Sequence, residues 1–193
     1  GTGIERNPTR IAKMSVRRTE SSRGSRSALE LTSASVNETQ AFGKRVGCAL
    51  RAGDVVALYG ELGSGKTTLI QGIAQGTGTD PSMVKSPTFV LQREYPGPVP
   101  LIHLDGYRLE GIEEAASLDP DLLFSRHKIT VIEWAERFEG LLPEGCLQVR
   151  LSHVSTNRRR IAVSATGPRA TEIVARLQDP TPHRGDTDAG AGD

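Results

Sequence analysis

Gly60-Glu61-Leu62-Gly63-Ser64-Gly65-Lys66-Thr67 decides how this chain is read. The pattern is G-x-x-x-x-G-K-T, and its two flanks differ in kind. Before it, Asp54-Val55-Val56-Ala57-Leu58-Tyr59 is short, apolar and β-branched, which predicts a buried strand. After it, Thr68-Leu69-Ile70-Gln71-Gly72-Ile73-Ala74 predicts a helix. Strand, glycine loop and helix in that order make a phosphate cradle. Glycines let the backbone curl round an anion with no Cβ in the way. The loop N–H groups then converge as an anion nest, and the helix adds its positive end. Lys66 places a cation on the β- and γ-phosphates, and the Thr67 hydroxyl ligates Mg²⁺. Leu62, Gly63, Ser64, Gly65, Lys66, Thr67 and Thr68 are the candidate nucleotide contacts.

Working outward, two more apolar runs end in acids. Val99-Pro100-Leu101-Ile102-His103-Leu104-Asp105 predicts a strand closing on Asp105, and Lys128-Ile129-Thr130-Val131-Ile132-Glu133 predicts one closing on Glu133. The second is Walker-B-like, a place where a carboxylate helps to hold Mg²⁺. Taken alone, either acid is equally well explained by solvation of a strand end. Beside a phosphate loop both become candidates, because strands of one sheet bring their carboxyl ends to a shared crevice. The candidate catalytic residues are Lys66, Asp105 and Glu133, and the candidate metal ligands are Thr67 and Glu133. His103 shares a strand face with Asp105, either orienting the site or as a hydrogen-bonded core histidine. Trp134, the single tryptophan, reads as core packing or as a contact with ligand or partner.

The remaining chain frames these motifs. Residues 1–28 hold seven Arg or Lys against two Glu, a net +5 within a total of +1. They predict a basic, disordered leader, or an arm for nucleic acid. Leu29–Ser33 predicts an edge strand, and Ser35-Val36-Asn37-Glu38 a capping box opening a helix that closes near Gly53. Strand-like residues follow Pro87, and Pro96-Gly97-Pro98 turns them back as a hairpin with the run to Asp105. Helix is expected between residues 111 and 124. Alternating strands cover residues 147–151 and 161–163, with Asn157-Arg158-Arg159-Arg160 at the turn, and a last helix covers 170–178. Residues 179–193 predict a disordered acidic tail. The expected unit is therefore one domain, 29–178, with an α/β, P-loop NTPase-like, three-layer α/β/α architecture on a central mixed sheet. Cys48 and Cys146 lie far apart and read as reduced, buried thiols of a cytoplasmic protein. No run approaches the roughly 18 apolar residues of a membrane span.

Four motifs in register go further than the loop alone. Gly-Glu-Leu-Gly-Ser-Gly-Lys-Thr-Thr (60–68), Lys-Ser-Pro-Thr-Phe-Val-Leu (85–91), His-Leu-Asp-Gly-Tyr-Arg-Leu (103–109) and Val-Ile-Glu-Trp (131–134) together resemble the TsaE/YjeE family. That family is the small bacterial P-loop ATPase of tRNA threonylcarbamoyladenosine (t6A) biosynthesis. The resemblance implies ATP and Mg²⁺ at Lys66 and Thr67, and a switch-like loop at Ser86-Pro87-Thr88. It also implies an acid needed for hydrolysis at Asp105, the second Mg²⁺ ligand at Glu133, and the family tryptophan at Trp134. It places Arg158 near the nucleotide base and Glu38 and Thr39 near adenine. Ser64 stands where alanine is usual, and Ala135 where proline is frequent. The implied partners are TsaB and TsaD, the transferase complex that acts on tRNA, with tRNA met only indirectly and no membrane. Hydrolysis would reset that complex and be slow without it.

Two other readings stand beside this one. A small-molecule or nucleoside kinase needs an acceptor pocket and an arginine-bearing lid, for which Asn157–Arg160 is a thin candidate. A nucleotide-dependent adaptor would bind ATP and keep partner function without hydrolysis. A GTPase lacks its guanine signature, since no Asn-Lys-x-Asp occurs.

Overall fold

The computed structural model describes residues 17–18, 27–85, 90–109, 117 and 119–179. The switch-like Ser86-Pro87-Thr88, most of the helix expected at 113–118, the rest of the leader and the tail beyond 179 lie outside the described residues.

The strands are β1 (Arg17–Arg18), β2 (Ser27–Ser33), β3 (Val55–Tyr59), β4 (Gln92–Tyr95), β5 (Leu101–Asp105), β6 (Ile129–Glu133), β7 (Leu147–His153) and β8 (Arg159–Ala165). The helices are α1 (Val36–Ala49), α2 (Lys66–Thr77), the one-turn α3 (Pro120–Leu123) and α4 (Pro168–Gln178). One mixed sheet runs in the order β1-β2-β8-β7-β3-β6-β5-β4. β3 lies at its centre, parallel to β6 and β7, and β5 continues parallel to β6. The outer strands β4, β8, β2 and β1 join antiparallel. The carboxyl ends of β3, β5, β6 and β7 therefore share one edge, where an open α/β sheet binds its ligand.

Every residue of β3, β5 and β6 is buried, as expected for strands covered on both faces. Alternation still sorts them. Val56, Leu58, Leu101, Ile129 and Val131 pack with helix residues such as Phe42, Val46, Leu69, Ile73 and Ile173. Val55, Ala57, Tyr59, Ile102, Leu104 and Ile132 pack on the other face, with Leu123 of α3 and with Phe138 of a 3-10 turn, Ala135–Phe138. The helix face is thick and, among the described residues, the opposite layer is thin.

α1 begins as its sequence dictates. Ser35 Oγ accepts from the Glu38 amide at 3.1 Å, and Glu38 Oε2 accepts from the Ala34 amide at 2.6 Å. The helix ends at Ala49, and Gly53 turns with φ 93°. α1 then crosses α2 with almost no side chain between the backbones. A Cβ on Gly43 would strike the Leu69 carbonyl, and one on Gly47 the Ile73 carbonyl. On α2, a Cβ on Gly72 would strike the Gln40 carbonyl, and one on Gly76 the Lys44 carbonyl. α4 is pinned to the start of β3 by Arg169, which donates to Asp54 Oδ1 at 2.9 Å, to Asp54 Oδ2 at 2.6 Å and to the Ala49 carbonyl at 2.9 Å.

Several sequence expectations shift. The hairpin forms, but its first strand is Gln92–Tyr95, later than the residues directly after Pro87. β2 starts at Ser27, inside the segment assigned to the leader, and Arg17–Arg18 pairs with Leu29 and Glu30, so β2 is not an edge over its whole length. Arg159 and Arg160 belong to β8, and the turn proper is Val154–Arg158. Cys48 is exposed whereas Cys146 is buried. Among the described residues no helix is long and apolar enough to cross a membrane.

Candidate nucleotide-binding site

The loop joining β3 to α2 bends sharply because three glycines take backbone angles that side chains avoid. Gly63 and Gly65 have φ of 75° and 103°. Gly60 is required for a second reason, since a Cβ there would fall 2.6 Å from Ser64 Oγ and 2.7 Å from the Leu151 carbonyl. Ser64 is fully buried beneath the loop, and its hydroxyl is accommodated there, 3.4 Å from Lys66 Nζ.

Lys66 opens α2 and turns back over its own loop. Its ammonium donates to the carbonyls of Gly60 at 2.6 Å and Glu61 at 2.8 Å, and it sits 4.4 Å above the Trp134 ring. Burial pushes its pKa below the usual lysine value, against the opposing pull of Glu133, Glu136 and Asp105. Thr67, one residue on, donates to Glu133 Oε1 at 3.3 Å. This joins the loop helix to the end of β6 across the sheet edge.

Asp105 and Glu133 are direct neighbours in the parallel β5–β6 register. Both are buried, at 6% and 2% exposure. Glu133 Oε1 is also 3.1 Å from His103 Nε2, and His103 Nδ1 is 3.1 Å from the Tyr95 hydroxyl. Asp105 Oδ1 accepts from the Tyr107 amide at 2.9 Å. Burial pushes the Asp105 pKa above the ordinary carboxylate value. The Tyr107 amide opposes this, and the Glu133 charge adds to it.

Trp134 leaves β6 with φ 56° and ψ 48°, the one non-glycine with positive φ among the described residues. Such a conformation costs roughly 1–2 kcal/mol and persists where surroundings enforce it. Here it directs the chain into the Ala135–Phe138 turn and lays the indole by Lys66, with the Tyr107 ring 5.2 Å away.

Leu62, Gly63, Gly65, Lys66, Thr67, Thr68, Asp105, Tyr107, Glu133 and Trp134 line one open cleft of about 430 Å³. The cleft thus gathers the loop residues and both acids predicted from sequence, while Ser64 lies buried beneath it. Arg158 is not among its lining residues and stands exposed on the β7–β8 turn. That turn is nevertheless on the same sheet edge, because Ser33 pairs with Arg159 and leads into Glu38 and Thr39. Two participants escaped the sequence reading. Tyr107 lies two residues beyond Asp105, a spacing that carried a signal. Tyr95 reaches His103 diagonally across β4 and β5, which only strand register reveals.

The family profile described as "Threonylcarbamoyl adenosine biosynthesis protein TsaE" matches residues 33–161. Proteins named tRNA threonylcarbamoyladenosine biosynthesis protein TsaE are similar along most of the chain. The one from Streptomyces coelicolor is 41% identical over 146 residues, covering 70% of this chain and 97% of its own length. The one from Bacillus subtilis is 37% identical over 141 residues, covering 72% and 87%. The crystal structure of Bacillus subtilis YdiB superposes with a TM-score of 0.64 at 30% identity, covering 79% of this chain and 95% of that one. A profile spanning the phosphate loop and both acids, with relatives aligned over nearly their full lengths, places this chain in the TsaE family of tRNA threonylcarbamoyladenosine biosynthesis.

Proposed function

We propose that this chain binds and hydrolyses ATP with Mg²⁺, and that it serves t6A formation by acting on the TsaB–TsaD transferase complex rather than on tRNA itself. The observation that carries the reading is the convergence of Lys66, Thr67, Asp105 and Glu133 on one cleft. The residues fit the ligand chemically. The loop glycines make room for phosphate oxygens, and the Lys66 ammonium is at hand to exchange carbonyl partners for phosphate. Thr67 and Glu133 supply a hydroxyl and a carboxylate 3.3 Å apart, both hard oxygen donors. Among the described residues no group of three or more His, Cys, Asp or Glu forms a metal cage. A site of few protein oxygens completed by phosphate and water is the mode Mg²⁺ uses.

Bound Mg²⁺ would neutralise charge on the β- and γ-phosphate oxygens. The chain's own groups do the rest. The loop amides and Lys66 hold the phosphates in place. Thr67 and Glu133 would hold the metal. Asp105, buried beside them with a raised proton affinity, orients the attacking water and takes up its proton.

The surroundings of the cleft support action on a protein partner. Leu62 is 75% exposed and Tyr107 46%, both on the cleft itself. Val36, Val90 and Val154 are also exposed, and each lies just beyond a strand end on the same sheet edge. The exposed Leu62 and Tyr107 on the cleft offer apolar contact to a docking protein. The kinase alternative lacks support, since its candidate lid is not among the cleft residues.

Reconstitution tests the proposal. Adding this chain to TsaB, TsaD and the remaining t6A components is expected to raise multiple-turnover t6A yield, with ATP consumed. Lys66→Ala should abolish the gain by losing ATP binding. An unchanged yield on omitting the chain refutes the proposal.

A further inference from the structure

His103 is fully buried, and both of its ring nitrogens are engaged. The donors can be assigned along the line. The Glu133 carboxylate only accepts, so in the neutral imidazole the hydrogen sits on the nitrogen facing it and the other nitrogen accepts from the Tyr95 hydroxyl. Nδ1 then accepts, and Nε2 carries the hydrogen donated to Glu133 Oε1 at 3.1 Å. The same oxygen accepts from Thr67 at 3.3 Å. A hydrogen-bonded line thus runs Tyr95, His103, Glu133, Thr67. It crosses β4, β5 and β6 and ends in the first turn of α2.

A buried histidine between a tyrosine and a carboxylate is often no more than a satisfied core group. Here the carboxylate it holds is the one beside Thr67, and its strand neighbour Asp105 lines the same cleft. Resting on the proposed Mg²⁺ role of Thr67 and Glu133, we infer that His103 is a positioning residue for the metal site. It fixes one oxygen of Glu133, while Tyr95 fixes the imidazole tautomer. Partners behind a ligand orient it and are typically worth about 10–100-fold in metal affinity or activity. His103 is not among the residues lining the cleft, so it acts on the metal requirement and not on nucleotide affinity as such.

The test uses the full chain and a non-hydrolysable ATP analogue, followed by the fluorescence of Trp134, the single tryptophan, which lines the cleft. Magnesium is titrated at fixed analogue, and analogue affinity is measured separately in EDTA. His103→Leu is expected to raise the half-saturating Mg²⁺ concentration about tenfold or more, with affinity in EDTA nearly unchanged. His103→Gln, whose amide N–H replaces Nε2–H, should recover most of that loss. Tyr95→Phe should fall between wild type and His103→Leu. An unchanged Mg²⁺ requirement in a folded His103→Leu overturns the inference, as does His103→Gln performing no better. Should His103→Leu fail to fold, Tyr95→Phe decides, and an unchanged requirement there overturns it. A wild type with no Mg²⁺-enhanced binding sinks the proposed metal site and this inference together. A responsive wild type with indifferent variants sinks the inference alone.

Discussion

The ends of β5 and β6 lie side by side, each closes on a buried acid, and the two are built differently. Glu133, on β6, has one oxygen held by His103 from behind and by Thr67 from the loop side. Asp105, on β5, has the Tyr107 amide as its hydrogen bond, and burial raises its proton affinity. A carboxylate oxygen fixed in place by two donors suits a metal ligand. A carboxylate whose charge is poorly compensated suits proton and water handling. Strand pairing makes the positions equivalent, so the division of labour comes from what lies behind each acid.

The sharpest break of this pair is at the metal end. Glu133→Ala is expected to lower hydrolysis by about 10³-fold, from the several kcal/mol that a metal site supplies. Mg²⁺ should then no longer tighten nucleotide binding, which the Trp134 titration reads.

The water end should break differently. Asp105→Asn is expected to lower hydrolysis by about 100-fold with ATP affinity retained, as measured by single-turnover assay and equilibrium binding. Stability adds a second readout, because burial raises the Asp105 pKa in the folded chain. Below its ordinary value of 3.8 the group is protonated whether folded or unfolded, and no penalty exists. As pH rises through the folded pKa, ionisation costs stability. Without nucleotide and Mg²⁺, Asp105→Asn should therefore melt higher than wild type at pH 7. That advantage should shrink as the pH falls toward 3.8. A lower melting temperature at pH 7 would remove the contrast drawn here.

A substitution beneath both ends should affect them alike. α2 carries Lys66 and Thr67 and rests on α1 through Gly72, where a Cβ meets the Gln40 carbonyl. Gly72→Val should cost about 1–3 kcal/mol, or roughly 2–10 °C in the melting midpoint for a domain of this size. The smallest effect belongs to a residue away from the acids. Arg158→Ala, on an exposed turn, is expected to weaken ATP binding by less than about fivefold.

Sequence legibility followed locality. The phosphate loop was legible because its glycine angles, its lysine and its helix start all lie within eight residues. The acids were legible because each ends an apolar run, and the capping box at Ser35 because its partners are three residues apart. The hairpin was placed early by a few residues, since β-branched composition marks a strand without marking its register. Tyr95 was missed because its bond to His103 needs two strands set side by side. The glycines of α1 and α2 look like poor helix residues in sequence, and only the crossing explains them.

The order of amino acids by itself therefore determined the P-loop architecture, the cleft's edge of the sheet, and the loop residues and acids that line it, since short-range sterics and strand periodicity govern these. Tertiary structure alone decided which acid is held and which is left poorly compensated, and how closely α1 and α2 approach. It also decided that Arg158 stands off the cleft. Those outcomes depend on through-space contacts between segments far apart in the chain, and no local pattern encodes them.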